Sequence, residues 1–399
     1  MEFPGTVVML PVASTALLIA VGPGGIVSWL LSRDWLVWVG DRSYGLYLWH
    51  WPLIVFAERL SGRWIAVVGA VALSLVAADR SYRWLEKPLR PLRSESMWRI
   101  ARLAAACAVV PAVLASGLIV AADRSFGIDE FEQLAERTEA RGRGCHTDLD
   151  EPILPIEQCS WTVDDPIGTI FLVGDSHAVS MADTVVREGN SSGYDVVVRT
   201  RSLCPFQSRR LKRRGCAAYQ RDTLLEIDQM DAEVVVIVNR ATIYVNSPIR
   251  PPSSYAIVDA ADAVTTTPGE AVQAWRDGMA GVLGSMPSSV KRIIIVESGP
   301  EFDEGGGAES VSLLTPSGRS RDVDLAEVDE LRQPTMEVHA ELAAGDARVV
   351  IIDPIPLVCS KVCSQKPDAD WLYYDDDHMS PAGADRLSEA LRSAWTVPR

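Results

Sequence analysis

The sequence predicts two structural classes in one chain: an α-helical transmembrane region, then an α/β domain with a parallel sheet covered on both faces. Three observations carry this. Residues 1–122 are rich in Trp, Leu, Val and Ala and poor in acids. Residues 123–399 hold most of the Asp and Glu, so the net charge of −15 belongs to them. Within that second part, short apolar runs alternate with amphipathic stretches, the pattern of strands buried between helices. The acidic balance argues against a general nucleic-acid binder. No internal repeat, Walker-type loop or dinucleotide glycine loop occurs.

Four membrane spans are expected, at residues 6–21, 43–57, 64–78 and 103–122. The last is the clearest: its twenty residues carry no charge, enough to cross a hydrocarbon layer of ~30 Å. Residues 43–57 are rich in interfacial aromatics. Residues 6–21 are short and interrupted by Pro11, and Met1-Glu2-Phe3 lacks the positive flank of a signal peptide. Arg80, Arg83, Lys87, Arg90, Arg93, Arg99 and Arg102 lie between the last two spans, which places that loop in the cytoplasm and everything after Asp123 outside. Arg33 and Arg42 fall on the cytoplasmic side of the same topology.

Residues 123–165 read as a polar connector. Strands are expected at 169–173, 194–199, 234–239, 292–297 and 349–352, and helices near 178–188, 218–229, 269–286, 324–344 and 381–394. Such a domain is large enough to bury a proper core, and its active residues should gather beyond the carboxyl ends of the strands.

The chemistry sits at two stretches. Thr169-Ile-Phe-Leu-Val-Gly-Asp-Ser-His177 reads as a buried strand, a sharp glycine turn and a helix start, so Ser176 stands where unpaired backbone N–H groups can stabilise an oxyanion. A serine needs a base to take its proton. Asp375-Asp376-Asp377-His378 supplies one, with Asp375 three residues from His378 so that a carboxylate can hold one ring nitrogen while the other faces the serine. The alternative is that Asp175 and Ser176 only cap a helix and that His378 lies on a solvated acidic turn.

A Gly-Asp-Ser block after a first strand, with a terminal Asp-x-x-His, resembles the SGNH (GDSL-like) hydrolase superfamily over residues 166–399. The resemblance implies a flavodoxin-like, three-layer SGNH domain in which Ser176, Asp375 and His378 are catalytic. Its oxyanion hole is expected to use Ser176, a backbone N–H near Ser202, and Asn239 after the central strand. The usual Gly-x-Asn-Asp surroundings of that Asn are missing, and Thr200-Arg-Ser-Leu-Cys-Pro205 stands in place of the superfamily's glycine block. His177 is expected to line the pocket. In the membrane half, Trp38-Val-Gly-Asp-Arg-Ser-Tyr-Gly-Leu-Tyr-Leu-Trp-His-Trp-Pro-Leu53 and Ser81-Tyr-Arg-Trp-Leu-Glu-Lys-Pro-Leu-Arg90 look like the last part of the acyltransferase family 3 membrane domain. Some members of that family are fused to an SGNH domain through one extra helix. The resemblance therefore divides the chain into residues 1–96, a C-terminal fragment of that membrane domain; 97–122, the linking helix; 123–165, the connector; and 166–399, the SGNH domain. The family's N-terminal helices, with their key histidine and arginines, are not in this sequence, so a restored N-terminus or a partner is expected to supply them. His50, in Trp-His-Trp-Pro, reads as part of an aromatic belt.

Of seven cysteines, Cys107 lies inside the last span. The other six fall into sequence-near couples, Cys145 with Cys159, Cys204 with Cys216 and Cys359 with Cys363, each bracketing one loop, as suits disulfides in an oxidising compartment. A zinc site is disfavoured because no Cys-x-x-Cys occurs. Arg209, Arg210, Lys212, Arg213 and Arg214 form a basic run suited to an anionic glycan, to lipid phosphates or to solvent. His146 and His339 read as surface residues. The reading as a whole is a multi-pass, membrane-anchored O-acyltransferase with an extracytoplasmic SGNH domain, using an acyl donor and a cell-surface glycan acceptor through an acyl-serine, without metal or soluble cofactor. A carbohydrate esterase, deacetylase or lipase, and an inactive glycan-binding module, are the alternatives.

Overall fold

The computed structural model describes residues 9–22, 25–61, 64–89, 97–125, 137–148, 151–209, 211, 216–246, 256–259, 261, 263–303, 306–307, 310 and 319–395. Arg210 and residues 212–214 of the basic run, and Arg90 and Arg93 of the expected cytoplasmic loop, lie outside them. The chain divides into two compact units, Met1–Ser116 and Gly117–Arg399.

The first unit is helical: α1 (Met9–Val21), α2 (Gly25–Leu31), α3 (Asp34–Ser61), α4 (Trp64–Ser81) and α5 (Met97–Ser125), the division between units falling within α5. Among the described residues one helical stretch, Trp64–Trp84, is long and apolar enough to cross a membrane; Met9–Ala20 and Ala104–Gly117 are shorter apolar helices. Residues 43–57 lie inside α3, which also carries Asp34, Asp41, Arg42 and Arg59. The charged helix ends dilute what a reading of the apolar centre alone takes for a span. Arg42 joins α3 to α4 by donating from Nε to Asp79 at 2.7 Å, and Arg83 meets the other carboxylate oxygen at 3.0 Å. Large apolar side chains such as Leu17, Trp35 and Trp51 remain about two-thirds exposed on these helices, an outward face that water alone would disfavour.

The second unit is a three-layer α/β fold. Its seven-stranded sheet runs β1 (His146–Thr147), β4 (Asp195–Arg201), β3 (Thr169–Gly174), β5 (Val234–Val238), β6 (Arg292–Val296), β8 (Val349–Ile352), with β2 (Ser160–Trp161) also on β4. All pairings are parallel except that of β2. The five longer strands are those expected, because a strand covered on both faces must be apolar at every position. Alternate residues then go to opposite layers. Ile170, Leu172, Val196, Val198, Val236 and Ile294 pack with α7 (Ala182–Ser191) and α13 (Ser388–Trp395) through Val185, Leu391 and Trp395. Phe171, Val173, Val197, Val235, Ile237 and Ile293 face α8 (Cys216–Gln229), α10 (Pro268–Gly284) and α11 (Leu325–Gly345) through Tyr219, Trp275 and Val338. Each such side chain contributes roughly 1.5–3 kcal/mol by leaving water. β1 and β2 lie within the stretch read as a connector, and a small antiparallel pair, β7 (Asp322–Asp324) with β9 (Val362–Ser364), lies apart from the main sheet.

His339 departs from the sequence reading. It is buried, accepting from Trp275 Nε1–H at 3.0 Å and meeting Glu297 through Nδ1 at 3.0 Å. An indole N–H only donates, so the proton of this imidazole is on Nδ1, facing the carboxylate. The three expected disulfides, Cys145–Cys159, Cys204–Cys216 and Cys359–Cys363, are formed, and Cys107 is free.

Candidate active site

The site is built where β3 ends. Gly174 has φ +145°, and a Cβ there would lie 1.8 Å from Val238 O on the neighbouring strand. Only glycine tolerates that approach. Its N–H donates to the Tyr219 hydroxyl at 3.0 Å, which donates on to Arg199 O at 2.8 Å, so the strand end is pinned from below. Asp175 follows, almost fully buried, and caps the short helix α6 (Ser176–Ser180) by accepting from His177 N–H at 2.9 Å. Its other oxygen accepts from Arg240 N–H at 2.9 Å and from the Tyr244 hydroxyl at 2.8 Å. Asp175 thus fastens the Gly174–Ser176 turn to the start of α9 (Ala241–Asn246).

The structure brings Ser176, His378 and Asp375 together. His378 Nε2 lies 2.8 Å from Ser176 Oγ, and His378 Nδ1 lies 2.9 Å from Asp375 Oδ2. Asp375 Oδ1 also accepts from the backbone N–H of His378 at 2.7 Å and of Asp377 at 3.1 Å, so one carboxylate shapes the turn and orients the ring. Tyr374 stacks on the imidazole at 5.5 Å with an interplanar angle of 9°, and the His177 ring lies 4.5 Å from it.

A second carboxylate was not legible in the sequence. Asp377 Oδ1 is 2.6 Å from the same Nδ1, yet it makes no hydrogen bond. The contact is close but off the N–H direction, so Asp375 takes the proton and Asp377 acts through its charge. Asp377 is buried and ion-paired through Oδ2 with Arg240 Nη1, while Arg240 Nη2 binds Glu301 at 3.0 Å and Thr242 donates to Glu301 at 2.6 Å. The only sequence signal for this chain of charges is the run of three acids before His378. Burial works against a charged His378, but Asp375 and Asp377 outweigh it and raise its pKa to about 10. Burial likewise opposes charge on Asp377, whose carboxyl the two imidazoles, His177 and His378, nevertheless hold well below the usual range. Burial and the neighbouring Asp377 and Asp375 carboxylates push Asp376 up to about 6.

The oxyanion side differs from the reading in one respect. The N–H of Ser202 donates to Thr147 O at 3.0 Å, because β1 extends the sheet alongside β4 and claims it. The next amide, that of Leu203, has φ +57° and no acceptor among the described residues. Ser176 N–H, at a helix start, has none there either. Asn239 is buried at the end of β5, its Oδ1 accepting from Phe206 N–H at 2.9 Å, which leaves its NH2 as the group without a partner among the described residues. His146, read as a surface residue, is largely buried between two hydroxyls, Thr200 Oγ1 at 3.0 Å and Ser202 Oγ at 2.9 Å.

His177, Asp377 and His378 offer ligand atoms within 4.8 Å of one another. Both His378 nitrogens, however, are committed to Asp375 and Ser176, which leaves no free lone pair for a metal there. A cavity of about 690 Å³ opens beside Arg240, lined also by Thr242, Glu301, Asp303, Glu327 and Asp376.

Comparison with known proteins decides the family. The model of the SGNH domain fused to AT3 domains matches residues 144–393, more than half of the chain. The chain belongs to this family. The SGNH domain is accordingly of the acyltransferase/esterase type, and the matched range takes in β1 and β2. Among curated relatives, the O-acetyltransferase OatA of Staphylococcus aureus is 41% identical over 76 residues, covering 18% of this chain and 13% of that protein. The peptidoglycan O-acetyltransferase OatA of Listeria monocytogenes is 36% identical over 73 residues, covering 17% and 12%. The matched segments thus span only about an eighth of those relatives' length. Among solved structures, the periplasmic domain of a lipopolysaccharide acetyltransferase of Salmonella ser. Paratyphi A aligns over 66% of this chain and 94% of its own, with TM-score 0.44 and 14% identity. The acetylxylan esterase Axe2 of Geobacillus stearothermophilus covers 58% and 96%, with TM-score 0.35 and 15% identity.

Proposed function

We propose that this chain is a membrane-anchored O-acyltransferase whose SGNH domain works outside the cytoplasm on cell-surface carbohydrate, through an acyl-serine. The observation that carries the reading is the ordered contact Ser176–His378–Asp375. Neutral His378 takes the Ser176 proton through Nε2 while Asp375 holds Nδ1–H, and Ser176 Oγ attacks the acyl carbonyl. The resulting oxyanion is met by N–H groups with no other acceptor among the described residues: Ser176, Leu203 and the Asn239 amide. Collapse expels the leaving group, which takes the proton from His378, and leaves the acyl group on Ser176. A sugar hydroxyl then gives its proton to His378 and attacks the ester, regenerating the serine. Water in the same place gives hydrolysis.

Anchoring is supported by the Trp64–Trp84 helix and by the outward apolar faces of the first unit, and the basic stretch before α5 favours the orientation given above. The disulfides suit an oxidising compartment. The relatives named O-acetyltransferases support acetyl as the group carried and peptidoglycan as the acceptor. The test uses the full chain in detergent with a chromogenic acetyl ester. Ser176→Ala and His378→Ala are each expected to lower turnover by about 10⁶, and a fluorophosphonate should label Ser176. Folded variants that keep their activity would return the domain to the glycan-binding reading.

A further inference from the structure

A second serine–histidine pair stands beside the nucleophile. β3 and β4 are parallel neighbours in which Gly174 is in register with Thr200. Ser176 and Ser202 therefore each emerge two residues beyond a paired position, on strands about 4.8 Å apart. Ser202 Oγ lies 2.9 Å from His146 Nε2, and His146 Nδ1 lies 3.0 Å from Thr200 Oγ1. One assignment of these bonds gives the Cys145 carbonyl, which can only accept, its donor. The Thr200 hydroxyl donates to Cys145 O, so toward His146 it accepts, and Nδ1 carries the proton. Nε2 is then a lone pair, and the Ser202 hydroxyl must donate to it. With its hydrogen committed, Ser202 Oγ can only accept from anything else.

The pair is also braced. The Cys145–Cys159 disulfide begins one residue before His146, and Cys204–Cys216 begins two residues after Ser202. Burial, with Arg141 nearby, lowers the His146 pKa to about 4, against the pull of Asp175 and Asp148. The ring therefore stays neutral, and the bond directions hold, over the whole range in which an esterase is assayed. Ser202 itself is only partly buried. The reaction steps given above use neither side chain.

We propose that Ser202, held by His146, is an acceptor subsite: Ser202 Oγ takes a hydrogen bond from a second hydroxyl of the carbohydrate acceptor while the reacting hydroxyl faces His378. Resting on the acyltransferase reading, it names what favours a sugar over water at the acyl-serine. A polyol can donate to Ser202 and to His378 at once from one ring. Water reaching His378 gains nothing from Ser202.

The experiment measures partition. The full chain in detergent receives p-nitrophenyl acetate as donor and a soluble N-acetylglucosamine tetrasaccharide as acceptor, and acetylated sugar and free acetate are counted together. Ser202→Ala is expected to lower the ratio of transfer to hydrolysis by about tenfold, the worth of one hydrogen bond, with a raised acceptor KM. Ser202→Thr, which keeps the hydroxyl, should restore it, and His146→Gln should lower it by weakening the orientation of Ser202. Fluorophosphonate labelling of Ser176 verifies that each variant keeps its active fold. No esterase activity in the parent chain would sink the acyltransferase reading itself. Hydrolysis without any transfer in the parent would leave the esterase alternative in place of the acyltransferase reading, whereas a ratio unchanged in labelled Ser202→Ala would overturn the subsite alone and leave that reading standing.

Discussion

Replacing Asp377 by Asn removes one buried charge beside His378 and little else, since Asn keeps the shape and Arg240 keeps Glu301 as partner. Taking charge centres about 4 Å apart and an effective dielectric near 20, a carboxylate favours the imidazolium by about 4 kcal/mol. That is about three pKa units at about 1.4 kcal/mol each. Arg240, bound to the other oxygen, offsets part of this, so a fall of about one to two units is the working figure. The sign follows from the chemistry. Catalysis needs neutral His378, whose pKa is raised to about 10, so activity is lost as pH falls through that raised value. In Asp377→Asn the acidic limb of kcat/KM should move down, and activity near neutrality should rise relative to the alkaline plateau. Asp375→Asn should instead lower the plateau by up to about 10⁴, because it releases the ring from its orientation. The assay is ester hydrolysis across pH, with circular dichroism at each point. A limb in Asp377→Asn that coincides with the parent's would show that Asp377 does not face the imidazolium.

Gly174→Ala should cost more than about 3 kcal/mol, because it places a methyl on a backbone carbonyl in a conformation L-residues avoid; an unchanged urea midpoint would refute the close approach. A membrane-impermeant thiol reagent on intact cells should find no free thiol in the SGNH domain until reductant is added, and labelling only after lysis would reverse the compartment.

The long strands were readable because burial on both faces forces apolar runs such as Ile170 to Val173 and Val234 to Val238. β1, β2, β7 and β9, of two or three residues each, are too short to show any period. The meeting of Ser176, Asp375 and His378 was foreseen because each sits in a short block, Gly-Asp-Ser or Asp-x-x-His, whose local spacing is visible in the sequence. Arg240, Glu301 and His146 were not, since each gains its role from partners brought from elsewhere: Glu301 lies 61 residues from Arg240, and Ser202 lies 56 from His146. His339 was misread for the same reason, its partner Trp275 lying 64 residues away. Of the four expected spans, one lies in a described helical stretch long and apolar enough to cross a membrane, Trp64–Trp84, because an apolar core such as residues 43–57 says nothing of the charged ends of the helix that contains it.

The contact between His378 and Ser176 joins residues 202 positions apart, and the elements after it, α12 (Pro381–Asp385) and α13, dock on α7. Asp385 accepts from Thr184 at 2.6 Å and Arg187 at 2.7 Å, and Trp395 donates to Ser192 at 3.3 Å. A ribosome delivers the serine long before the base. On the proposed mechanism the nascent chain therefore carries Ser176 without its base until His378 has been made, and reactivity waits until α12 and α13 close over the sheet. Contacts of such range are slow to form, so the onset of activity marks the end of folding, and a refolding experiment can follow it as the last event.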